Sequence, residues 1–282
     1  PQMDISGYRF RSLQFGIRRW VKSLMRIPQN GILLATNYLV FWPENAITIE
    51  LPPSGAPGIA KGPLMLIHPW DASVDSAEWR HWLGSSEKFG QLIIPNLDPH
   101  EAPLALPTHF TIFGEEILLH FAKPNQAWQH IAAAKQVRLS VIGDYAYIPS
   151  DWRIKPGFET NGVPTSYYAA VQFVATPTIV DDAEDKAYIL NEQLKDIQPE
   201  HAPAVANNDD AYGRMLSGIR GLKLAIIDVE AKFKYDDANS VEFRERIAKN
   251  LDARNRGTDK GAAKQQRRRL GLIGDWAKFR DK

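Results

Sequence analysis

The sequence contains no cysteine. Disulfide bonds, thiolate metal sites and cysteine nucleophiles are therefore excluded. Such a chain suits a reducing compartment, and a cytoplasmic location is the expectation. Long apolar runs are missing too. The best candidate, residues 31–42, has 12 residues, well short of the roughly 20 that a helix needs to cross a bilayer. It starts late and ends in Phe41-Trp42-Pro43, which is not the layout of a secretory signal. No G-x-G-x-x-G follows a strand-like run, no Gly-rich loop ends in Lys-Ser/Thr, and no G-x-S-x-G is present. Rossmann, P-loop and serine-hydrolase readings thus lack support. The histidines, His68, His81, His100, His109, His120, His130 and His201, are scattered. None pairs with another at helical ligand spacing, and no metal site is predicted.

Charge of one sign is scarce only locally. The formal net charge of +1 hides an asymmetry. Residues 1–64 carry 7 Lys/Arg against 3 acids, residues 65–252 carry 17 against 27, and residues 253–282 carry 10 against 3. An acidic body between basic ends argues against a broad nucleic-acid-binding face on the body. Phe15, Arg18, Arg19, Val21, Lys22, Met25 and Arg26 suggest a basic amphipathic helix. Residues 51–58 form a Pro/Gly-rich linker. Three segments are expected: an extension at 1–64 outside the core, a domain at 65–252, and a mobile basic tail at 253–282 holding Arg267-Arg268-Arg269.

Within the body, the pattern predicts a helix over 76–82 with Asp75 or Ser76 as N-cap, then strands over 90–97 and 104–113. A Gly114-Glu115 turn leads into a strand at 116–121. A Pro-started helix is predicted over 124–134. Strands follow at 137–143, 146–152 and 163–180, then an Asp-capped helix from Asp181-Asp182 through Ile197. A helix over 207–217, a strand within 219–233 and a helix over 241–251 complete the list. A strand meander with helices inserted late predicts a mainly β, antiparallel barrel with peripheral α-helices.

The junction Lys123-Pro124-Asn125-Gln126 puts a cation and amides between an apolar strand and a helix start. That is suited to an anion such as phosphate, although it also serves as an ordinary connection. His109 and His120 fall on adjacent strands of a predicted hairpin. Tyr147, Trp152, Tyr167 and Tyr168 have the shape to flank a planar ring, and barrel packing explains them equally well. Lys232-Phe233-Lys234 adds positive charge at the end of the last strand.

Taken together, these segments resemble the PaiB family of FMN-binding proteins, described as negative transcriptional regulators. The blocks are His120-Phe121-Ala122-Lys123-Pro124-Asn125-Gln126-Ala127-Trp128; Gly143, Ala146, Tyr147, Ile148 and Trp152; Val163, Pro164, Thr165, Tyr168, Ala170 and Val171; and Arg214-Met215-Leu216 with Ile219 and Gly221. The resemblance implies a split β-barrel of the FMN-binding type and a homodimer with flavin between subunits. It implies cofactor contacts from His120, Lys123, Asn125, Gln126, Tyr147, Trp152, Thr165, Tyr168, Lys232 and Lys234. A regulatory or redox-sensing role is implied. The alternatives are a flavin-dependent oxidoreductase on the same barrel, and a flavin-free or haem-handling binding module. No recognition helix is identifiable; the basic tail is suited to sequence-independent DNA contact, although a solvated tail explains it and is the favoured reading. The family's Lys-Leu-Ser-Gln-Asn motif is replaced by Lys234-Tyr235-Asp236-Asp237-Ala238. Two carboxylates there are expected to repel a phosphate, so that Asp236→Ser with Asp237→Gln tightens FMN binding.

Overall fold

Strand registers in the computed structural model explain why the apolar pattern changes parity along the longest strands. The structure describes residues 34–35, 38–39, 65–85, 88–155, 157, 162–200 and 215–273. The chain divides into two units, Pro1–Gly62 and Pro63–Lys282. In the first, β1 (Leu34–Ala35) and β2 (Tyr38–Leu39) form a small antiparallel pair. The amphipathic helix and the Pro/Gly linker expected there lie outside the described residues, as does most of the helix expected at 207–217.

The second unit is built on seven strands: β3 (Phe89–Ile94), β4 (Leu104–His109), β5 (Thr111–Phe113), β6 (Glu116–Ala122), β7 (Val137–Ile148), β8 (Thr165–Val180) and β9 (Ile219–Lys234). Their order is β4-β3-β7-β8-β9-β6-β5, and every pairing is antiparallel. On β8 the residues Tyr167, Ala169, Val171, Phe173 and Ala175 are all buried, which is the two-residue period of a half-buried strand. β9 buries Leu222 and Leu224, then Ala231 and Phe233. The switch from even to odd follows from a bulge: Asp228 faces Val174 and Ile226 faces Ala175, which leaves Ile227 without an opposite residue. β7 does the same, with Val137, Leu139 and Val141 buried before an irregularity at 143–146, and Ala146 and Ile148 after it. The two strands expected at 137–143 and 146–152 are therefore one bulged strand. Asp144, at φ 49°, supplies the break that reads as a strand end in the sequence.

The strand expected over 104–113 is split at Phe110. Its first part, β4, pairs with β3 at one edge of the sheet; its second, β5, pairs with β6 at the other. Phe110 is fully buried at the pivot and its N–H donates to the Lys88 carbonyl at 3.2 Å. One kinked strand thus carries the chain from edge to edge. The sheet curls without closing, giving the expected split barrel with helices outside.

The helices are α1 (Ser76–Gly84), α2 (Ala127–Ala133), α3 (Ala183–Ile197), α4 (Val241–Arg254) and α5 (Asp259–Ile273). Asp75, Asp182 and Ser240 cap α1, α3 and α4 through side-chain oxygens that accept backbone N–H groups. α2 is shorter than the helix expected over 124–134 and starts three residues after Pro124.

The basic segment expected to be a mobile tail instead contains α5, which packs on the body. Arg269 is almost fully buried. Its guanidinium donates to Asp237 at 2.7 Å, to Glu78 at 2.8 Å, and to the carbonyls of Trp70 and Ala72. Arg244 of α4 meets the other oxygen of Asp237. Arg268 pairs with Glu78, and Arg267 with Glu245 and Asp252. Arg267, Arg268 and Arg269, expected to be solvated, are therefore engaged internally. Their sequence looks polar and unstructured because the partners lie as far as 199 residues away.

α5 crosses the β7 bulge at Gly261. A Cβ there falls 2.2 Å from Asp144 Oδ1, and that carboxylate already accepts the Trp82 indole N–H at 2.9 Å through its other oxygen. Gly261→Ala is expected to lower stability by about 1–3 kcal/mol, the range for forced overpacking. Chemical denaturation measures it; an unchanged midpoint would show that α5 can ride away from the bulge.

Candidate functional site

The residues singled out from the sequence fall into two groups. At the open end of the β8–β9 ladder, Tyr168 stands opposite Lys234. Lys234 Nζ donates to Thr165 Oγ1 at 2.7 Å. The ammonium groups of Lys232 and Lys234 lie 5.8 and 5.9 Å from the Tyr168 ring centre, within cation–π range. Lys232 is buried because residues 65–72 run over it. Its Nζ donates to the Leu66 carbonyl, the Met65 N–H donates to Glu230, and Ala72 bridges Lys232. Asp71 on that covering segment is 3 % exposed. Burial pushes its carboxyl up to about 6, against the pull of Lys232. Tyr147 lies at the same end, half exposed and opposite Ser166. The Arg254 guanidinium sits 4.7 Å from the Trp152 ring and donates to the Tyr147 carbonyl. One face of Trp152 is thus already stacked.

His120, Lys123, Asn125 and Gln126 form the second group, at and beyond the end of β6. His120 Nδ1 lies 2.7 Å from Gln193 Oε1, while Gln193 Nε2 donates to the Leu118 carbonyl. That arrangement makes His120 Nδ1 the donor to Gln193 Oε1. The His109 ring stands edge-on at 5.3 Å. Burial, together with the His120 charge, holds the His109 pKa below its ordinary value. Asn125 is engaged within its own loop. Its Oδ1 accepts the Ala127 N–H and its carbonyl accepts the Trp128 N–H, so the first amides of α2 are already satisfied.

Lys123 has a better setting than its loop suggests. It lines a cavity of about 430 Å³ with Asp181, Lys186, Ile219 and Arg220. Arg220 grips Asp181 through two bonds of 2.7 and 2.5 Å and lies 5.2 Å from the Trp128 ring centre. The Asp181 carboxyl is held below its usual range, first by the bonds from Arg220 and further by the charges of Lys186 and Lys123. Lys186 is 7 % exposed, and its ammonium donates to the Leu216 and Ile219 carbonyls.

Sequence reasoning missed Asp71, Asp181, Lys186 and Arg220. Lys186 reads as an ordinary solvated helix residue, and Arg220 as a strand lead-in. Only the packing of α3 on β9 turns both toward Lys123. The two groups are also far apart within one chain. The ladder from Tyr168–Lys234 to Val180–Gly221 spans 12 residues of β8, roughly 40 Å along the strand.

Asp236 and Asp237 do not confront a ligand. Asp236 accepts from Arg153 at 2.9 Å and from the Tyr167 hydroxyl at 3.0 Å. Asp237 is fully buried between Arg244 and Arg269. Burial raises both carboxyls, and the arginines pull the other way. The expected repulsion of a phosphate is overturned, because internal guanidinium groups neutralise these charges.

Among solved structures, a flavocytochrome from Azotobacter vinelandii is similar at 15% identity, with 58% of this chain and 70% of that chain covered and a TM-score of 0.44. An FAD- and haem-binding protein from Mycobacterium smegmatis is similar at 16% identity, with 58% and 73% covered and a TM-score of 0.43. No curated protein sequence matches. A family model matches residues 65–228, from the covering segment to the β9 bulge. Over that span, which holds both groups of candidate residues up to the bulge, the chain belongs to the family described as "Putative FMN-binding domain".

Proposed function

We propose that this protein holds FMN between two copies of the chain and serves in a regulatory or redox-sensing role of the PaiB type. The observation that carries the dimer is the separation of the two residue groups along one β8–β9 ladder. A single flavin reaches both groups when a two-fold axis brings the far end of one protomer to the near end of its partner. The residues fit the ligand. Lys123 and its neighbours offer a cationic cavity suited to a phosphate. Thr165, Lys232 and Lys234 offer donors near an aromatic ring, suited to the polar edge of a flavin.

When bound, FMN supplies reversible electron transfer at its ring system. The chain's own residues bind and orient it. Lys234, fixed by Thr165, presents its charge beside Tyr168. Residues 65–72 keep water from Lys232.

The test combines light scattering with FMN titration followed by flavin fluorescence. The expected results are a dimer at micromolar concentration and one FMN site per protomer. Lys234→Ala is expected to weaken FMN by about 10- to 150-fold, the worth of one charge-assisted hydrogen bond. A monomer that binds FMN with wild-type affinity would overturn the shared site. NAD(P)H oxidation by the FMN-loaded protein would favour a flavin-dependent reductase over a sensor.

A further inference from the structure

The pivot at Phe110 leaves two histidines side by side. β5 pairs with β6 in the register Thr111↔Leu118, and two residues further along that register His109 falls opposite His120. Their ring centres are 5.3 Å apart and their planes cross at 68°. Two imidazoles bound to one tetrahedral ion, with metal–nitrogen bonds of about 2.0–2.1 Å, have ring centres about 5 Å apart. The His120 ring is braced from the far side. Its Nδ1 donates to Gln193 Oε1 at 2.7 Å, and Gln193, buried on α3, is itself held by the bond from its Nε2 to the Leu118 carbonyl at 3.2 Å. An imidazole whose Nδ1–H is tied to a fixed oxygen has, when neutral, its lone pair on Nε2, and this arrangement orients histidine ligands in metal sites. Simple ring packing needs the contact with His109 but not the brace from Gln193. His109 is exposed at the end of β4, so its ring can turn about its broad terminal torsion to meet an ion. Partial burial of that ring, and then the His120 charge, disfavour its protonated form, which has no lone pair to give.

We propose that His109 and His120 form a two-imidazole binding site for a divalent transition-metal ion of the zinc, nickel and copper class, with Gln193 as the residue that positions His120. Imidazole nitrogen suits these ions, whereas magnesium and calcium take oxygen ligands. Among the described residues no group of three or more ligating side chains occurs; the two rings are the ligands those residues supply, and water or a small added ligand fills the other positions. The inference does not rest on the flavin reading.

The experiment is calorimetry on the full, untagged chain titrated with zinc, with magnesium as the control. Wild type is expected to take up one zinc ion per chain at this site and no magnesium. His109→Phe keeps an aromatic ring in the same place without a nitrogen, and is expected to lose that ion. Should this variant fail to fold, as judged by circular dichroism, His109→Gln takes its place. Gln193→Met removes the brace and is expected to weaken zinc by about 10- to 100-fold, the usual cost of losing a ligand's hydrogen-bonded partner. Proton NMR of the imidazole rings locates the ion: the resonances that shift when zinc is added to wild type are expected to include the set missing from the His109 variant. Absence of zinc binding by wild type at millimolar concentration overturns the proposal. So does binding that the His109 variant leaves unchanged, because the ion then sits on other histidines. Loss of zinc in the His109 variant with none in Gln193→Met refutes the brace and leaves the two-histidine site standing.

Discussion

Asp237→Asn is expected to destabilise the folded protein by about 3–5 kcal/mol, the cost of removing one partner from a buried ion pair. The carboxylate is fully buried and bridges Arg244 of α4 to Arg269 of α5. Without it, two guanidinium groups stay in the interior with their strongest anionic partner gone, although Glu78 still meets Arg269. For a unit of this size, each kcal/mol moves the thermal midpoint by about 2–4 °C, so a fall of about 6–20 °C is expected. Arg267→Ala is the control. Its partners Glu245 and Asp252 are well exposed, and such surface pairs contribute about 1 kcal/mol or less. Equal midpoints for the two variants would refute the network's structural role. The Asp237→Gln change that the sequence motif favours as a way to tighten FMN belongs with the destabilising variants.

The second large effect depends on pH. The Asp71 carboxyl titrates near 6 in the folded chain, against 3.8 for an ordinary aspartate. Its pKa is raised, so its contribution to stability is fully present below about pH 3.8 and is lost as pH rises through about 6. Ionised Asp71 then costs the fold about 3 kcal/mol, because each tenfold change in proton affinity corresponds to about 1.36 kcal/mol. Asp71→Asn removes that cost. The variant is expected to be more stable than wild type by up to about 3 kcal/mol at pH 7.5, with the advantage shrinking toward zero at pH 4. Urea unfolding at the two pH values measures it. A variant less stable than wild type at pH 7.5 would mean that the ionised carboxylate is held by Lys232 more strongly than burial opposes it.

Local chemistry makes much of the fold legible in the sequence. Asp75 and Asp182 announce helix starts, and the alternating apolar residues of β8 announce a half-buried strand. Where the sequence misleads, the cause is tertiary. Phe110 looks like one more strand residue, and only the pairing of β4 and β5 with opposite sheet edges shows it to be a pivot. Gly143-Asp144 looks like a strand end because a bulge uses the same residue types as a turn. The site divides in the same way. Thr165, Tyr168, Lys232 and Lys234 are found together because one strand pairing aligns them. Lys186 and Arg220 escape notice because no spacing in the sequence relates them to Lys123. The Arg267-Arg268-Arg269 run reads as solvated because its acids, Glu78 and Asp237 among them, lie on other elements.

The bonds from Arg269 to Glu78 have a consequence for how the protein is made. The two residues are 191 positions apart. At about 5–20 residues per second, a ribosome releases Arg269 roughly 10–40 seconds after Glu78. Throughout that interval the nascent barrel carries an acidic side chain destined for its interior without the arginine that neutralises it. The family-matched span ends at residue 228, before α4 and α5 begin. A chain stopped there during translation therefore has its cofactor-domain strands nearly complete but lacks both arginines of the buried network. Final locking of the barrel is an event that follows synthesis of α5, and chaperones have that window in which to act on the unfinished chain.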